Sequence, residues 1–220
     1  MIMIWGRRSS ANVIKVLWAA TEMGLPFERK TVGGGFGGVQ EPAYLAMNPN
    51  GLVPVLQDGP VTMFESNAIV RYLAARYGEG RFRPADPVKL ALAEQWMEWQ
   101  QQTIAPLVSA IFWQNVRTPP AQRNAAAVEE AEARLPAAFA IAGKRLQQSP
   151  YFAGEELTMA DIVMGVFAWR LSQLKCRQPE DAAVTRWFDR LKTRKAFQEW
   201  AMVPIGANPS EWSANEKLLA

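Results

Sequence analysis

Apolar and polar positions along the first eighty residues change period several times. Met1 to Trp5 is a short apolar run, after which Val13, Val16, Leu17 and Ala20 recur at helical spacing until Gly24. Short apolar runs bounded by turn residues read as strands and a 3.6-residue period reads as helix, so the chain opens strand then helix. Phe27 to Val32 reads as a second strand. The turn chemistry of NPNG at 48–51 introduces a third strand over Val53 to Gln57, Asp58-Gly59 reverses it, and Thr62 to Phe64 supplies a fourth. A helix follows, with Ile69, Tyr72 and Leu73 on one face and Ser66 placed to cap its start. The order is β-α-β-(α)-β-β-α.

Beyond Gly78 the pattern becomes helical throughout. GEGRFRPADP is a Gly/Pro/Arg-rich connection, and it marks the boundary between an N-terminal unit of residues 1–80 and a C-terminal unit of 87–220, with 81–86 as linker. Pro87 to Val116 carries Trp96, Trp99, Phe112 and Trp113 at helical spacing, with a kink expected at Pro106. The Ala/Glu-rich stretch from Pro120 to Gln147 reads as a second long helix. In LTMADI, Thr158 and Asp161 have the spacing of a capping box, and Leu157 and Ile162 that of a hydrophobic staple, so a buried helix starts there. Trp187, Phe188 and Leu191, then Phe197 and Trp200, mark two shorter helices.

Composition removes several kinds of chemistry. The chain has 220 residues, 49% of them hydrophobic, enough for a sizeable core. Net charge is +3 and the basic residues are scattered, which argues against nucleic acid as a partner. No apolar run approaches the length of a membrane span and the first residues do not read as a signal peptide, so a soluble cytoplasmic protein is expected. Cys176 is the one cysteine and there is no histidine. An intramolecular disulfide, thiolate or imidazole metal sites, Ser-His-Asp triads and Cys-His dyads are all excluded. The GGGFGG loop at 33–38 has neither the Lys-Ser/Thr of a phosphate-binding loop nor a strand-to-helix G-x-G-x-x-G context.

Three separated pieces remain: Ser10 at a helix start, Val53-Pro54 entering a strand, and Glu65-Ser66 at another helix start. With NPNGLVPVL, FESNAIVRYL and LTMADI in that order and spacing, they resemble the cytosolic glutathione transferase superfamily over nearly the whole chain. The resemblance implies an α+β protein, with a thioredoxin-like α/β domain that binds glutathione and an all-α domain that supplies the acceptor pocket. Glutathione is the co-substrate it implies, with no metal, and a homodimer is the expected assembly.

Residue by residue, the resemblance makes Pro54 a cis proline that turns the Val53 backbone toward the cysteinyl part of glutathione. Glu65 and Ser66 match the pair that grips the γ-glutamyl end; a helix start suits a carboxylate and Glu65 suits the ammonium. Ser10 falls fourteen residues before Gly24, where theta-like and zeta-like members carry their catalytic serine. Asn12 falls where some bacterial members carry an asparagine thought to contact the sulfur, so both are candidates. A serine hydroxyl is no general base near neutral pH; it donates a hydrogen bond to a thiolate, worth about 1.5–3 kcal/mol. Ser9 counts among the glutathione contacts. Leu52 stands where many members place a polar residue for the glycine carboxylate, which leaves Arg7, Gln40 or the GGGFGG loop for that task. By position, Trp5, Phe36, Phe112, Trp113 and Arg117 are expected to line the acceptor pocket. The implied activity is transfer of glutathione to a small electrophile. A glutathione-dependent disulfide reductase or peroxidase, or a non-catalytic binding module, would use the same scaffold.

Overall fold

The computed structural model describes residues 1–78 and 80–219. Four strands, β1 (Ile2–Trp5), β2 (Phe27–Lys30), β3 (Val55–Asp58) and β4 (Val61–Phe64), form one mixed sheet in the order β2-β1-β3-β4. β1 runs parallel to β2 and antiparallel to β3, with Ile4 opposite Arg29 on one side and Leu56 on the other. A parallel pair needs a crossover, and α1 (Ala11–Glu22) supplies it. β3 and β4 are joined by the Asp58-Gly59 turn in an antiparallel hairpin, and α2 (Pro42–Leu45) and α3 (Ser66–Tyr77) complete the first unit.

Nine of the twelve residues of α1 are buried, so this helix is covered on more than the single stripe that a surface helix would hide. One side meets α3, and Val13, Leu17, Ile69 and Leu73 are all buried in the core the two helices share. Another meets α7 (Met159–Ser172) of the second unit. Gly165 of α7 sets that approach: a Cβ there would lie 2.9 Å from the Trp18 ring and 2.7 Å from Leu191 Cδ1. α1 thus joins the two units, and its N-terminus opens at the seam between them.

The helical unit comprises α4 (Pro87–Trp99), α5 (Ala105–Phe112), α6 (Ala125–Leu146), α7, α8 (Ala182–Lys192), α9 (Lys195–Trp200) and α10 (Pro209–Leu218). The capping box of α7 is present and is completely buried. Asp161 accepts from Thr158 N (2.9 Å), Thr158 Oγ1 (3.1 Å), Phe152 N (3.0 Å) and Trp187 Nε1 (2.9 Å), which ties the helix start to the preceding loop and to α8. Leu157 and Ile162 are both buried beside it.

Several stretches differ from the sequence expectation for identifiable reasons. Ser66 does not cap α3: it is the first helical residue, and Glu65 holds the cap position with φ 70° and no side-chain cap bond. The Pro87–Val116 helix is two α-helices separated by a widened turn at Gln100–Ile104, with a second at Trp113–Arg117. Pro106 has no N–H for the carbonyl of Gln102 and its ring crowds that carbonyl, so the ladder opens just ahead of it. The second long helix starts at Ala125, where Asn124 caps it by accepting from Ala127 N (3.1 Å), rather than at Pro120. The 81–86 connection packs into the core, with Phe82 only 2% exposed. Nothing in the pattern beyond Trp200 signalled α10, whose apolar residues are too sparse for a periodic face.

Candidate active site

A cavity of about 430 Å³ lies at the N-terminus of α1, between the two units. Its first wall is the segment from Arg7 to Asn12, with Gly33, Gly34 and Val39 from the glycine loop and Gly51, Leu52 and Val53 ahead of β3. Ser109, Phe112, Trp113 and Arg117 from α5 and the widened turn after it, Phe167 and Arg170 from α7, and Trp212 from α10 form the opposite wall.

The two serines at the helix start have different fates. Ser9 is buried, and its hydroxyl donates to Glu216 Oε1 at 2.6 Å. Ser10 occupies the N-cap position with extended backbone (φ −77°, ψ 123°), yet its side chain makes no cap bond and has no other hydrogen-bond partner among the described residues. Its hydroxyl is therefore free to serve a ligand. The first N–H groups of α1 lack intrahelical acceptors and carry the positive end of the helix dipole, so the site favours a negative atom. Asn12, the second residue of α1, lies in the first turn at the same opening, exposed on the cavity wall.

Positive charge dominates the rest of the cavity. Arg7 pairs with Glu216 through Nε at 2.9 Å, and the glycine loop wraps it closely: a Cβ on Gly34, at φ +59°, would lie 2.8 Å from Arg7 Nε. Arg170 is buried, and its Nη2 donates to the Ser9 carbonyl at 2.8 Å. Burial first, then the neighbouring Arg7 and Arg117, pulls its guanidinium down to about 9, still cationic at neutral pH. Arg117 is also lowered by burial, with Glu216 raising it and Arg7 lowering it. Its guanidinium lies 4.9 Å from the ring centroids of both Trp113 and Trp212.

The structure brings Arg7, Ser9, Ser10, Asn12, Val53, Phe112, Trp113 and Arg117 together on this cavity. Trp5 and Phe36, expected on the acceptor side, do not line it. Trp5 faces the other way on β1, donating from Nε1 to Gln57 Oε1 (2.8 Å) under the Lys30 ammonium, because strand alternation sends β1 side chains to opposite faces. Phe36 sits half-buried in the short helical turn of the glycine loop. Gln40 lies just outside the wall, with its amide against Gly51. The Val53-Pro54 bond is cis; Val53 lines the cavity and Pro54 lies outside the lining. Glu65 is exposed and Ser66 buried at the start of α3, outside the cavity lining. Beneath them Lys15, fully buried, donates to Asn67 Oδ1 at 3.0 Å; burial pulls its ammonium down to about 7 against the pull of Glu65. Ser109, Phe167, Arg170, Trp212 and Glu216 escaped the sequence reading. An arginine inside the apolar run of α7 was a signal for Arg170; Glu216 left none.

Known proteins similar to this chain share one family. Residues 9–76 match the family model described as glutathione S-transferase, N-terminal domain, and residues 103–195 match the corresponding C-terminal domain. Glutathione S-transferase GstB of Escherichia coli K12 is 39% identical over 207 residues, covering 93% of this chain and 100% of the relative. Glutathione S-transferase 3 of Zea mays is 32% identical, over 94% and 96%. Among solved structures, the theta class glutathione S-transferase of Xanthomonas axonopodis pv. citri with glutathione bound superposes with a TM-score of 0.89 at 42% identity, covering 93% of this chain and 99% of that one. Two matched domain models and a relative 39% identical over its whole length establish that the chain belongs to the glutathione S-transferase family.

Proposed function

We propose that this protein is a glutathione transferase that binds glutathione in the inter-domain cavity and delivers its sulfur, as a thiolate, to a small electrophile. The observation that carries the reading is the Ser10 hydroxyl, unclaimed at the start of α1 while its neighbour Ser9 is taken by Glu216. Ser10 donates to the thiolate, and the N–H groups at the start of α1 add to the same field. Asn12 stands as the second donor. Val53 presents backbone groups to the cysteinyl part, Glu65 and Ser66 take the γ-glutamyl end, and Arg7 takes the glycine carboxylate in place of a polar residue at 52. Phe112, Trp113 and Arg117 border the acceptor. The thiol proton leaves to water, and no protein nucleophile takes part.

A homodimer in the cytoplasm completes the proposal. An unpaired cysteine accords with a reducing compartment, and two-fold assembly is the commonest arrangement for such chains. Light scattering checks the assembly. Isothermal titration with glutathione, followed by turnover of 1-chloro-2,4-dinitrobenzene, checks the activity. Saturable binding with turnover is the expected result; absence of binding at millimolar glutathione overturns the proposal.

A further inference from the structure

Three guanidinium groups, those of Arg7, Arg117 and Arg170, line the cavity, and the carboxylate nearest them among the described residues, that of Glu216, lies outside the lining. Glu216 lies against Arg7, and neither Arg117 nor Arg170 has an ion-pair partner among the described residues. Arg170 is buried and Arg117 half-buried, with Glu216 acting on Arg117 only from beyond ion-pair distance; charge drawn out of water without a close counter-charge is costly, and a structure keeps it where a ligand brings the opposite sign. These two arginines belong to the helical wall, across the cavity from the segments that contact glutathione in the reading above. Aromatic rings hold them in place: Arg170 lies 4.5 Å from the Phe112 centroid, and Arg117 lies against Trp113 and Trp212. Phe112 meets Trp212 edge to face at 5.0 Å. Arg170 gives one nitrogen to Ser9, whereas Arg117 makes no hydrogen bond to the described residues.

From this arrangement we propose that the acceptor is a small, flat electrophile bearing a carboxylate, held by Arg117 and Arg170 with its apolar part against Trp113 and Trp212. The inference rests on the transferase reading and names its substrate class. A carboxylate accepts two parallel N–H bonds from a guanidinium, which fixes its orientation as well as its position. The electrophilic carbon is then aimed toward Ser10, where the thiolate sits. For an aryl chloride, the sulfur attacks the chlorinated carbon, the C–S bond forms, and chloride departs with the C–Cl electron pair. No oxidant or reductant is involved.

The test compares 4-chloro-3-nitrobenzoate with 4-chloro-3-nitrobenzamide, which match in shape and differ in charge. Each enzymatic kcat/KM is divided by the spontaneous rate with glutathione, and glutathione affinity is measured by titration on the same preparations. The expected result is an acid-to-amide ratio of at least ten for the unaltered protein, falling at least tenfold in Arg117→Met and recovering in part in Arg117→Lys, which restores the charge. A ratio near one, an unchanged ratio in Arg117→Met, or turnover of neither compound by a protein that binds glutathione overturns the inference. A tenfold loss of glutathione affinity in Arg117→Met also overturns it, because the arginine then serves a carboxylate of glutathione itself. Failure to bind glutathione at all defeats the transferase reading and, with it, this inference.

Discussion

Replacing Asp161 by Asn removes one charge from the centre of the molecule without changing its volume. The carboxylate accepts four hydrogen bonds, two at each oxygen. An asparagine oriented to keep Phe152 N and Trp187 Nε1 satisfied turns its own amide N–H toward Thr158 N, while the Thr158 hydroxyl can rotate and accept. One backbone donor is then buried without a partner, at about 1–3 kcal/mol, and the surviving bonds lose their charge assistance. Burial raises the Asp161 carboxyl above its ordinary value even against the four donors, so removing the desolvation cost of the charge offsets part of the loss. The expected net effect is a loss of about 2–3 kcal/mol, which in a chain of this size lowers Tm by roughly 4–12 °C at fixed protein concentration. Urea unfolding at pH 7.5, followed by tryptophan fluorescence, measures it. Because α7 carries Phe167 and Arg170 to the cavity, kcat/KM should fall as well. A loss under about 1 kcal/mol would refute the argument: it would mean the buried group sits as a neutral acid, which asparagine imitates.

Glu65→Ala and Ser66→Ala should raise KM for glutathione with a smaller change in kcat, since the γ-glutamyl end is unchanged by the reaction; a fall in kcat alone would reassign both residues. Glu22→Gln should destabilise the protein by about 1–3 kcal/mol, because Glu22 accepts from Nε and Nη2 of Arg194, each at 2.7 Å, across the domain seam while Arg194 keeps a quarter of its side chain in water. Burial alone would raise the Glu22 carboxyl, but the Arg194 and Trp18 bonds outweigh it and hold it below its ordinary range. Its contribution is therefore complete above the unfolded carboxyl value and disappears as pH falls through the folded one, so the wild type and variant should converge in acid melts; a gap that persists at low pH would contradict the pairing. Cys176→Ser should retain full activity, since burial pushes that thiol up to about 11, Gln178 is its only hydrogen-bond partner among the described residues, and it lies off the cavity; loss of turnover in the variant would overturn a mechanism in which glutathione supplies the only reacting sulfur.

Much of this architecture was legible in local pattern. The strands, α1 and the α7 capping box follow from period and cap chemistry, because each is decided within a few residues. Ser10 and Val53, which line the cavity, and the cis Pro54 beside it were singled out because the family resemblance fixes their spacing. What escaped depends on contacts between distant segments. Glu216 reaches Ser9 and Arg7 across more than two hundred residues, from a helix with too few apolar positions to announce itself. Trp5 was misplaced because an aromatic at a strand end gives no sign of which face it takes until the register is known. The cap at α3 was misassigned because Glu65 adopts a positive φ that its residue type does not favour.

The central claim is that Ser10 holds the glutathione sulfur as a thiolate, and its most direct measurement is the ultraviolet thiolate absorbance of enzyme-bound glutathione titrated against pH. A free thiol titrates near ~8.5, and a hydrogen bond to charge worth about 1.5–3 kcal/mol corresponds to roughly one to two pH units at 1.36 kcal/mol each. The bound thiol of the unaltered protein should therefore titrate about one to two units below the free value, returning most of the way in Ser10→Ala with a parallel shift in the pH–kcat profile. An unmoved titration in Ser10→Ala, together with a shifted one in Asn12→Ala, would contradict the account and give the sulfur to Asn12.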